Sequence, residues 1–373
     1  MGKELNEKDT HAWLTLLRAP GLGASAIREL AADRTSAAEM LAAASRDVRL
    51  DAGARAWFAA PDALLIDGDL QWLQDPAHHL LTWTSADYPA LLRSAQNPPA
   101  ALFVAGDPTA LWMPQIAIVG ARSASAAGLA NARAFARAFV EAGNVVTSGL
   151  AEGIDGAAHA AALDAGGRTI AVLGTGPDLV YPRQHRPLAA RIAGHGALVT
   201  EFPPGTPGKP ENFPRRNRII AGLSLGTLVV EAGLSSGSLI TARLAGEQGR
   251  ELFALPGSIH NPLARGCHKL IREGAKLVES AAEVIEELHG VGALLAESLR
   301  RRIDADAATP PATGAAHVDP DYRRLLAALD AQPAALDELA LRTGLSAAAL
   351  SSMLLVLELD GVVIADGGRY ARR

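Results

Sequence analysis

Cysteine is nearly absent from the sequence, since Cys267 is the single one among 373 residues. One thiol excludes an internal disulfide framework and any cysteine-based zinc site, and it is typical of proteins in a reducing cytosol. The N-terminal segment MGKELNEKDT lacks an apolar signal core. No uninterrupted apolar run of about 18 residues indicates a membrane span. We therefore expect a soluble cytoplasmic protein with no membrane span.

Positive charge is also scarce overall, because the chain carries a formal net charge of −5. This balance argues against a protein that coats nucleic acid by bulk attraction. The charge is unevenly distributed, however. Residues 1–114 hold nine basic and fourteen acidic side chains, whereas residues 183–218 hold seven basic and two acidic ones. The sequence therefore predicts that any site for a polyanion is local and includes this basic segment.

The central part of the chain alternates short apolar runs with helical stretches, as in a parallel sheet covered by helices. The runs are apolar on both sides, which indicates helices on both faces. We predict an α/β fold with an extended Rossmann-like, doubly wound sheet, whose ligands bind beyond the carboxyl ends of the strands. The predicted strands are 116–120, 144–148, 169–174, 197–202, 227–232, 251–256 and 276–280.

The N-terminal segment lacks strand-like runs and is rich in Ala, Leu and Arg. Its Pro20-Gly21-Leu22-Gly23 turn before a helix resembles a helix-hairpin-helix, a module that grips DNA phosphates. The acidic balance of residues 1–80 favours instead a small helical domain used for contacts. Residues 81–114 are expected to lead into the sheet through proline-rich turns.

The C-terminal segment predicts three helices followed by a hairpin that turns at Asp366-Gly367-Gly368, which is the pattern of a winged helix. The expected recognition helix, 346–359, contains no Lys or Arg. Because base-reading helices usually carry such residues, we expect a protein-contact module or a weak duplex binder. Length and pattern together predict a SAM/helix-hairpin-helix-like helical domain at 1–80, a Rossmann-like domain at 81–290, a linker at 291–320 and a winged-helix domain at 321–373.

The turn after the first central strand begins at Gly120 and contains Arg122 and Ser123. It departs from G-x-G-x-x-G, and strand 144–148 ends without the acidic residue that would hold a ribose, so NAD binding is disfavoured. What remains is either an anion site made of backbone N–H groups and Arg122, or an ordinary surface arginine.

Asp155 and His159 lie four residues apart and share one helical face. They predict either an acid–base pair or half of a metal site. The alternative is a carboxylate favoured by the helix dipole beside a packed histidine. No third ligand stands at a matching spacing, which favours the structural interpretation.

The string Gly233-Leu-Ser235-Ser-Gly237 follows a strand and precedes a helix, the context of a nucleophile elbow. A serine hydrolase using Ser235, with His260 or His268 as base, therefore stays open. The competing interpretation is an anion-binding turn in which Ser236, Gly237 and Ser238 offer hydroxyl and N–H groups at a helix N-terminus. The nearby basic segment favours the second interpretation.

The string KPENFPRRNR, residues 209–218, surrounds one aromatic ring with cations. We predict a loop in which Phe213 stacks on a base while Lys209 and the arginines hold phosphates, as in single-strand platforms. The alternative is a solvated basic loop with Phe213 tucked into the core. No Walker-type sequence is present, so a phosphate-cleaving motor is disfavoured.

Taken together, the central motifs resemble the DNA-processing protein A (DprA/Smf) family over about residues 115–280. The resemblance implies a non-catalytic single-stranded-DNA-binding protein of natural transformation, without cofactor or metal. Such proteins protect incoming DNA, load the RecA recombinase onto it and form homodimers through the Rossmann-like domain. The strings that carry the resemblance are IAIVGARSASAAG, VVTSGLAEGIDGAAHAAAL, VLGTGPDLVYPRQH, EFPPGTPGKPENFPRRNRIIAGLS, VVEAGLSSGSLITARLAGEQGRELFALPGSI and NPLARGCHKLIREGAKLVE.

The resemblance also implies site residues. The set of expected DNA contacts comes from four places: the glycine–arginine turn, the aromatic and basic string, a further basic position and the predicted anion turn. Dimer contacts are expected at Leu270 and Ile271. The alternatives are a Rossmann-type nucleotide-binding hydrolase, either phosphoribohydrolase-like or using Ser235, and a pure protein-contact scaffold. The expected DNA-binding residues are Gly120, Arg122, Ser123, Arg183, Lys209, Phe213, Arg216, Asn217, Arg218, Ser236, Gly237 and Ser238.

Overall fold

A computed structural model shows two compact units, Met1–Ala296 and Glu297–Arg373, which are described separately. The predicted linker at 291–320 lies outside the described residues. Those residues are 6–34, 36–47, 50–288, 324–325, 328–329, 334–345, 350, 354, 363–366 and 369–372.

The first unit is built on a nine-stranded sheet with the order β1-β2-β6-β5-β4-β3-β7-β8-β9. Strands β3 to β9 run parallel, whereas β1 and β2 pair antiparallel at one edge. The strands are β1 His78–Thr82, β2 Ala101–Gly106, β3 Gln115–Val119, β4 Val145–Ser148, β5 Thr169–Val172, β6 Ala197–Thr200, β7 Gly226–Val229, β8 Glu251–Ala254 and β9 Lys276–Leu277.

All seven predicted strands are confirmed, although the last forms over just two residues. Strands β1 and β2 were missed, because residues 1–80, in which β1 begins, were expected to be helical and residues 81–114 were expected to hold proline-rich turns. Their antiparallel pairing extends the parallel sheet at one edge, through β2 and β6. The predicted α/β, doubly wound fold class is confirmed.

Helices cover both faces of the sheet, as the apolar strands predict. Alternate residues of β3 point to opposite faces: Ala117 and Val119 pack in one core cluster, and Ile116 and Ile118 pack in another. The helices of this unit are α1 Glu7–Arg18, α2 Ala24–Ala32, α3 Ala37–Ala44, α4 Ala52–Ala59, α5 Ala63–Trp72, α6 Ala90–Arg93, α7 Ala126–Glu141, α8 Ile154–Asp164, α9 Arg186–His195, α10 Asn212–Leu223, α11 Ser238–Glu247, α12 Arg265–Arg272 and α13 281–288, with 3₁₀ turns at Pro108–Trp112, Arg183–His185 and Pro262–Ala264.

The N-terminal helices pack against the antiparallel edge of the sheet. Phe103 of β2 is fully buried in a cluster with Leu14 of α1 and Ile66 of α5. A buried ion pair joins Arg18 to Asp69, with Nε 2.5 Å from Oδ2. Strand β1 crosses the boundary predicted between residues 80 and 81. The helical segment therefore shares packing with the sheet, and its extent as a domain stays a prediction.

The second unit contains a three-stranded antiparallel sheet of β10 Ala334–Ala335, β11 Val363–Asp366 and β12 Arg369–Arg372. Helix α14, Leu336–Thr343, packs in a cluster with Leu325, Leu350 and Val363. The predicted hairpin is confirmed by the pairing of β11 with β12. Most of the predicted recognition helix 346–359 lies outside the described residues. Among the helices of the described residues, none is long and apolar enough to span a bilayer.

The strand order reverses beside β3. The chain proceeds from β3 to β4, β5 and β6 on one side, then returns to β7, β8 and β9 on the other. In doubly wound sheets the turns on either side of such a switch diverge, which leaves a crevice beyond the carboxyl ends of the strands. The turns after β3 and β7 are therefore the ones expected to border a site.

Phe103 provides a test of the packing between the helical segment and the sheet. Because the Phe103 ring is fully buried, Phe103→Ala should lower the free energy of unfolding by about 3–5 kcal/mol. Urea unfolding followed by circular dichroism measures this change. Leu64→Ala is the control: its side chain is 83% exposed, so the change should stay within about 0.5 kcal/mol. Equal effects of the two variants would contradict the described packing.

Candidate nucleic-acid interface

A crevice of about 590 Å³ opens beside the switch in strand order. Its walls come from the turns after β3, β4 and β7, from helix α10 and from the loop before it. Nine of the twelve expected DNA-binding residues line it. They are Gly120, Arg122, Ser123, Phe213, Arg216, Asn217, Ser236, Gly237 and Ser238.

An arginine and two aromatic rings form one wall of the crevice. The guanidinium carbon of Arg122 lies 5.9 Å from the centre of the Phe213 ring. The Tyr181 ring lies on the same ring at 5.3 Å, tilted by 46°. Phe213 is half-buried and Tyr181 is 52% exposed. The wall therefore offers an aromatic surface next to a cation, and Phe213 borders the crevice instead of lying in the core.

Close packing fixes the position of the Phe213 ring. A Cβ atom at position 174 would lie 2.8 Å from Cδ1 of Phe213, so Gly174 leaves the space that the ring occupies. Gly174 follows strand β5, and the ring therefore rests on the end of the sheet. This support restrains the aromatic surface before any ligand arrives.

Arg216 forms the floor of the crevice and is nearly buried. Its Nη1 donates to the carbonyl oxygen of Gly149, at 2.7 Å, and to that of Val172. Its Nε donates to Oδ1 of Asn217 at 3.1 Å. Burial lowers the pKa of Arg216 to about 10, which leaves it charged at neutral pH. Among the described residues Nη2 makes no hydrogen bond, so it is the nitrogen available to a ligand.

Helix α11 also begins at the crevice, next to α10. Gly237 is its N-cap, the N–H of Ser238 donates to Oγ of Ser236 at 3.4 Å, and the hydroxyls of Ser236 and Ser238 lie 2.7 Å apart. The Nδ2 of Asn217 donates to the carbonyl oxygen of Gly237 at 3.4 Å, which connects α10 with this turn. N–H groups and hydroxyls at a helix N-terminus favour an anion. The predicted anion turn therefore lines the same crevice as the aromatic wall.

The basic string was predicted to be a loop, and this is wrong from Asn212 onward. Helix α10 starts there, because Pro214 lies in the first turn, where a missing N–H costs nothing. Helical geometry then directs Arg218 away from the crevice. Its side chain is buried and its Nη2 lies 2.7 Å from Oε2 of Glu201. The expected phosphate contact at Arg218 is therefore corrected: this guanidinium is a structural ion-pair partner.

Four further residues of the predicted sets do not line the crevice. Arg183 and Lys209 are exposed but do not belong to the residues that line the crevice. Leu270 is 6% exposed and packs in the core of its own chain, which leaves little of its surface for a partner, and its dimer contact stays a prediction. Ile271 is half-buried against the same core. Its dimer contact stays a prediction.

Asp155 and His159 have the structural roles that the helix-terminus interpretation assigns. Oδ2 of Asp155 accepts from the N–H groups of Gly149, at 3.1 Å, and Ala151, at 3.4 Å. Nδ1 of His159 lies 2.7 Å from Oγ1 of Thr169. Burial lowers the pKa of His159 to about 3. The imidazole is therefore neutral at neutral pH and has no access to the crevice.

Ser235 lies exposed at the lip of the crevice. Within the described residues its hydroxyl makes no hydrogen bond to a histidine. His268 instead pairs through Nε2 with the carbonyl oxygen of Gly257 at 3.0 Å. A nucleophile needs a base within hydrogen-bond reach. The geometry therefore gives the hydrolase interpretation no support.

A carboxylate, that of Asp51, lies next to the N-terminal turn that resembles a helix-hairpin-helix. Oδ2 of Asp51 lies 2.8 Å from the point where a Cβ would stand at Gly21. A phosphate approaching this turn would be repelled by that charge. The geometry agrees with the contact-domain interpretation of the segment.

Tyr181 was missed as a site residue. It stands in the string VLGTGPDLVYPRQH, directly before Pro182 and Arg183, and it follows strand β5 through a long turn. An aromatic residue beyond the carboxyl end of a parallel strand was the signal that could have identified it.

Known proteins resemble this chain along most of its length. Residues 79–289 match the family model described as DNA recombination-mediator protein A. Residues 307–369 match the model of the DprA winged helix domain, which confirms the predicted winged helix. Protein Smf of Escherichia coli is 44% identical over 312 residues, which cover 82% of this chain and 80% of that protein. The DNA processing protein DprA of Bacillus subtilis is 48% identical over 206 residues, covering 55% and 69%.

Two solved structures share the fold. The X-ray structure of DNA processing protein A from Streptococcus pneumoniae has a TM-score of 0.66 and 36% identity, and covers 74% of this chain and 97% of that one. A structure of DNA processing protein A from Helicobacter pylori, described as giving insights into its unique single-stranded DNA binding mode, has a TM-score of 0.52 and 27% identity. It covers 57% of this chain and 96% of that one.

His159 gives the unfolding free energy a predictable pH dependence. Its folded pKa of about 3 lies below the unfolded value, so the unfolded chain binds more protons between these two values. The contribution of His159 to the unfolding free energy is fully present when the pH is above its unfolded pKa of about 6.5. This contribution is lost as the pH falls toward the folded pKa. At pH 5 the loss from His159 should be roughly 2 kcal/mol. Urea unfolding from pH 8 to pH 5 should therefore show a smaller decline in His159→Asn than in the wild type; an identical decline would exclude this contribution.

Proposed function

Because this chain belongs to the DNA recombination-mediator protein A (DprA/Smf) family, we propose that it binds single-stranded DNA in the crevice beside Phe213. In this proposal it protects incoming DNA during natural transformation and loads the RecA recombinase onto it. It performs no chemical step on the DNA and requires no cofactor. It acts in the cytoplasm as a homodimer that associates through the Rossmann-like domain.

The stack of Arg122, Phe213 and Tyr181 is the observation that carries the proposal. Single-strand-binding sites combine aromatic faces, on which bases stack, with cations that follow the backbone. Here the guanidinium carbon of Arg122 lies 5.9 Å from the centre of the Phe213 ring, and the centres of the Phe213 and Tyr181 rings lie 5.3 Å apart. A base placed on the exposed Tyr181 or at the edge of Phe213 would bring its phosphate within reach of Arg122.

The turn at the start of α11 offers a site for the next phosphate. The turn of Ser236, Gly237 and Ser238 places hydroxyl groups and a helix N-terminus at the crevice, an arrangement that favours anions. The charged side chains of the lining are Arg122, Arg216 and Asp155. With Asp155 bound to backbone N–H groups, the lining has an excess of positive charge. Arg183 and Lys209, exposed outside the crevice, are proposed as peripheral contacts along the same strand.

The absence of a chemical step is inferred from the candidate catalytic groups. Ser235 makes no hydrogen bond to a histidine among the described residues, and His159 is buried against Thr169. Asp155 is occupied with backbone N–H groups. The Helicobacter pylori relative, whose structure concerns single-stranded DNA binding, supports a binding role for the same fold.

Arg122 and Phe213 provide the first test. Phe213→Ala should weaken binding to labelled poly-dT by about 1–3 kcal/mol, because a stacking surface is lost. Arg122→Ala should weaken binding and reduce the slope of log K against log salt by about 0.7, because one phosphate contact on a single strand is lost. Fluorescence anisotropy over a salt series, with a matched duplex, measures both effects.

Arg137→Ala is the matched control for the charge. Arg137 is exposed on α7, the helix that follows the Arg122 turn, and it does not line the crevice. Its removal should leave affinity and salt slope close to those of the wild type. If Arg122→Ala and Phe213→Ala bound like the control, the crevice would not be the DNA site.

RecA loading needs a separate measurement. With single strands coated by single-strand-binding protein, the wild type should shorten the lag before RecA filaments form. Arg122→Ala should shorten it less, because loading requires the protein on the strand. Fluorescence of labelled DNA during filament growth reports the lag. A wild type that binds single strands but leaves the lag unchanged would refute the loading role and keep the binding role.

A further inference from the structure

Glu231 lies at the switch in strand order. It follows β7 by two residues and is 7% exposed. Its carbonyl oxygen accepts from the N–H of Ala121 at 2.7 Å, which continues the pairing of β3 with β7 beyond the strands. The backbone of Glu231 therefore ties the turn that carries Arg122 to the sheet.

The carboxylate of Glu231 joins the same turn to a third one. Oε2 accepts from the N–H of Ser125 at 2.9 Å, and Oε1 accepts from its hydroxyl at 2.6 Å. Oε1 also accepts from Nδ2 of Asn261 at 3.3 Å, in the loop after β8. One side chain thus connects the turns that follow β3, β7 and β8.

This carboxylate occupies a position with a known preference for anions. Ser125 is the N-cap of the sixteen-residue helix α7, and its hydroxyl accepts from the N–H of Gly128 at 3.0 Å. The first helix N-terminus of a doubly wound sheet is where such folds commonly hold a phosphate. Here the chain's own carboxylate binds there, so the phosphates of a ligand must use other donors.

Those donors are on two of the three turns that Glu231 connects. Arg122 stands three residues before Ser125, and the Ser236–Ser238 turn begins five residues after Glu231. Both turns line the crevice, whereas Glu231 itself does not. We propose that Glu231 is a positioning residue, which holds Arg122 and the start of α11 at the separation that single-stranded DNA requires. This inference rests on the proposed function.

Charge and position predict opposite effects of neutralising Glu231. By charge alone, removal of a carboxylate near the crevice should strengthen the binding of a polyanion. By position, Glu231→Gln should weaken DNA binding. Ser125 now donates one hydrogen bond to each carboxylate oxygen, and the amide nitrogen that replaces one oxygen cannot accept. The direction of the change therefore distinguishes the two roles.

The experiment compares Glu231→Gln with Glu211→Gln by anisotropy on poly-dT over a salt series. Glu211 is exposed beside the start of α10 and makes no capping bond with its side chain, so its variant removes the same charge without the same contacts. Glu231→Gln should bind at least fivefold more weakly with an unchanged salt slope, since no phosphate contact is lost. Glu211→Gln should bind as well as the wild type or slightly better.

Ser125→Ala keeps the charge of Glu231 and removes the hydroxyl group that donates to Oε1 of Glu231. It should also weaken binding, and the double variant should bind no more weakly than Glu231→Gln alone, because both changes break one connection. Thermal unfolding identifies the temperature at which each variant is folded. If Glu231→Gln does not fold, the affinity of Ser125→Ala decides: weaker binding supports the inference, and wild-type binding overturns it.

The remaining outcomes separate this inference from the proposed function. A Glu231→Gln variant that binds as tightly as the wild type, or more tightly, overturns the positioning role while single-strand binding stands. A wild type without salt-dependent binding to poly-dT overturns the proposed function, and the positioning role with it.

Discussion

A buried arginine holds the end of the sheet together, and the crevice is arranged around it. Arg216 bonds to the carbonyl oxygens of Gly149 and Val172, at the ends of two neighbouring parallel strands. A guanidinium is costly to remove from water unless such groups compensate it. Burial raises the pKa of Asp155, and the neighbouring Arg216 charge opposes that rise. The positive charge therefore remains directly beneath the aromatic wall, in surroundings where water screens it weakly.

The same helix carries a second arginine with a different task. Five residues of α10 line the crevice, among them Phe213, Arg216 and Asn217, whereas the Arg218 side chain pairs with Glu201. Arg215 also pairs with Glu201, at 2.9 Å, and its guanidinium lies over the Phe202 ring. Ion pairs on the far side therefore fix the helix that presents the aromatic ring. Some side chains of the basic string therefore line the crevice and others anchor α10, so the net charge of the string overstates the charge that faces the crevice.

Sequence patterns predicted the central strands because a strand covered on both faces needs an unbroken apolar run, and such runs are easily recognised. The convergence of the turns at Gly120, Phe213 and Ser236 followed from the rule that parallel strands end at one edge. The faces of α10 did not follow, because the proline- and glycine-rich residues 203–210 suggested a loop for the whole string, and helical phase decides which arginine meets solvent. Strand β1 lacked a signal as well, since it opens with two histidines and its pairing partner lies beyond a proline-rich turn. Tyr181 was not assigned because the loop after β5 is long, and its length leaves open which of its residues reaches the crevice.

A chain with a net charge of −5 would select its strand by geometry more than by charge. Duplex DNA offers phosphates but keeps its bases stacked, so the aromatic surface of Tyr181 and Phe213 gains nothing from it. A single strand can place a base on that surface, and stacking then adds about 1–3 kcal/mol for each base. Because the acidic N-terminal segment repels phosphates in general, the positive floor alone would hold a duplex weakly. In the proposed function, preference for single strands would then follow from the requirement that an unpaired base and a phosphate meet the ring and Arg122 together.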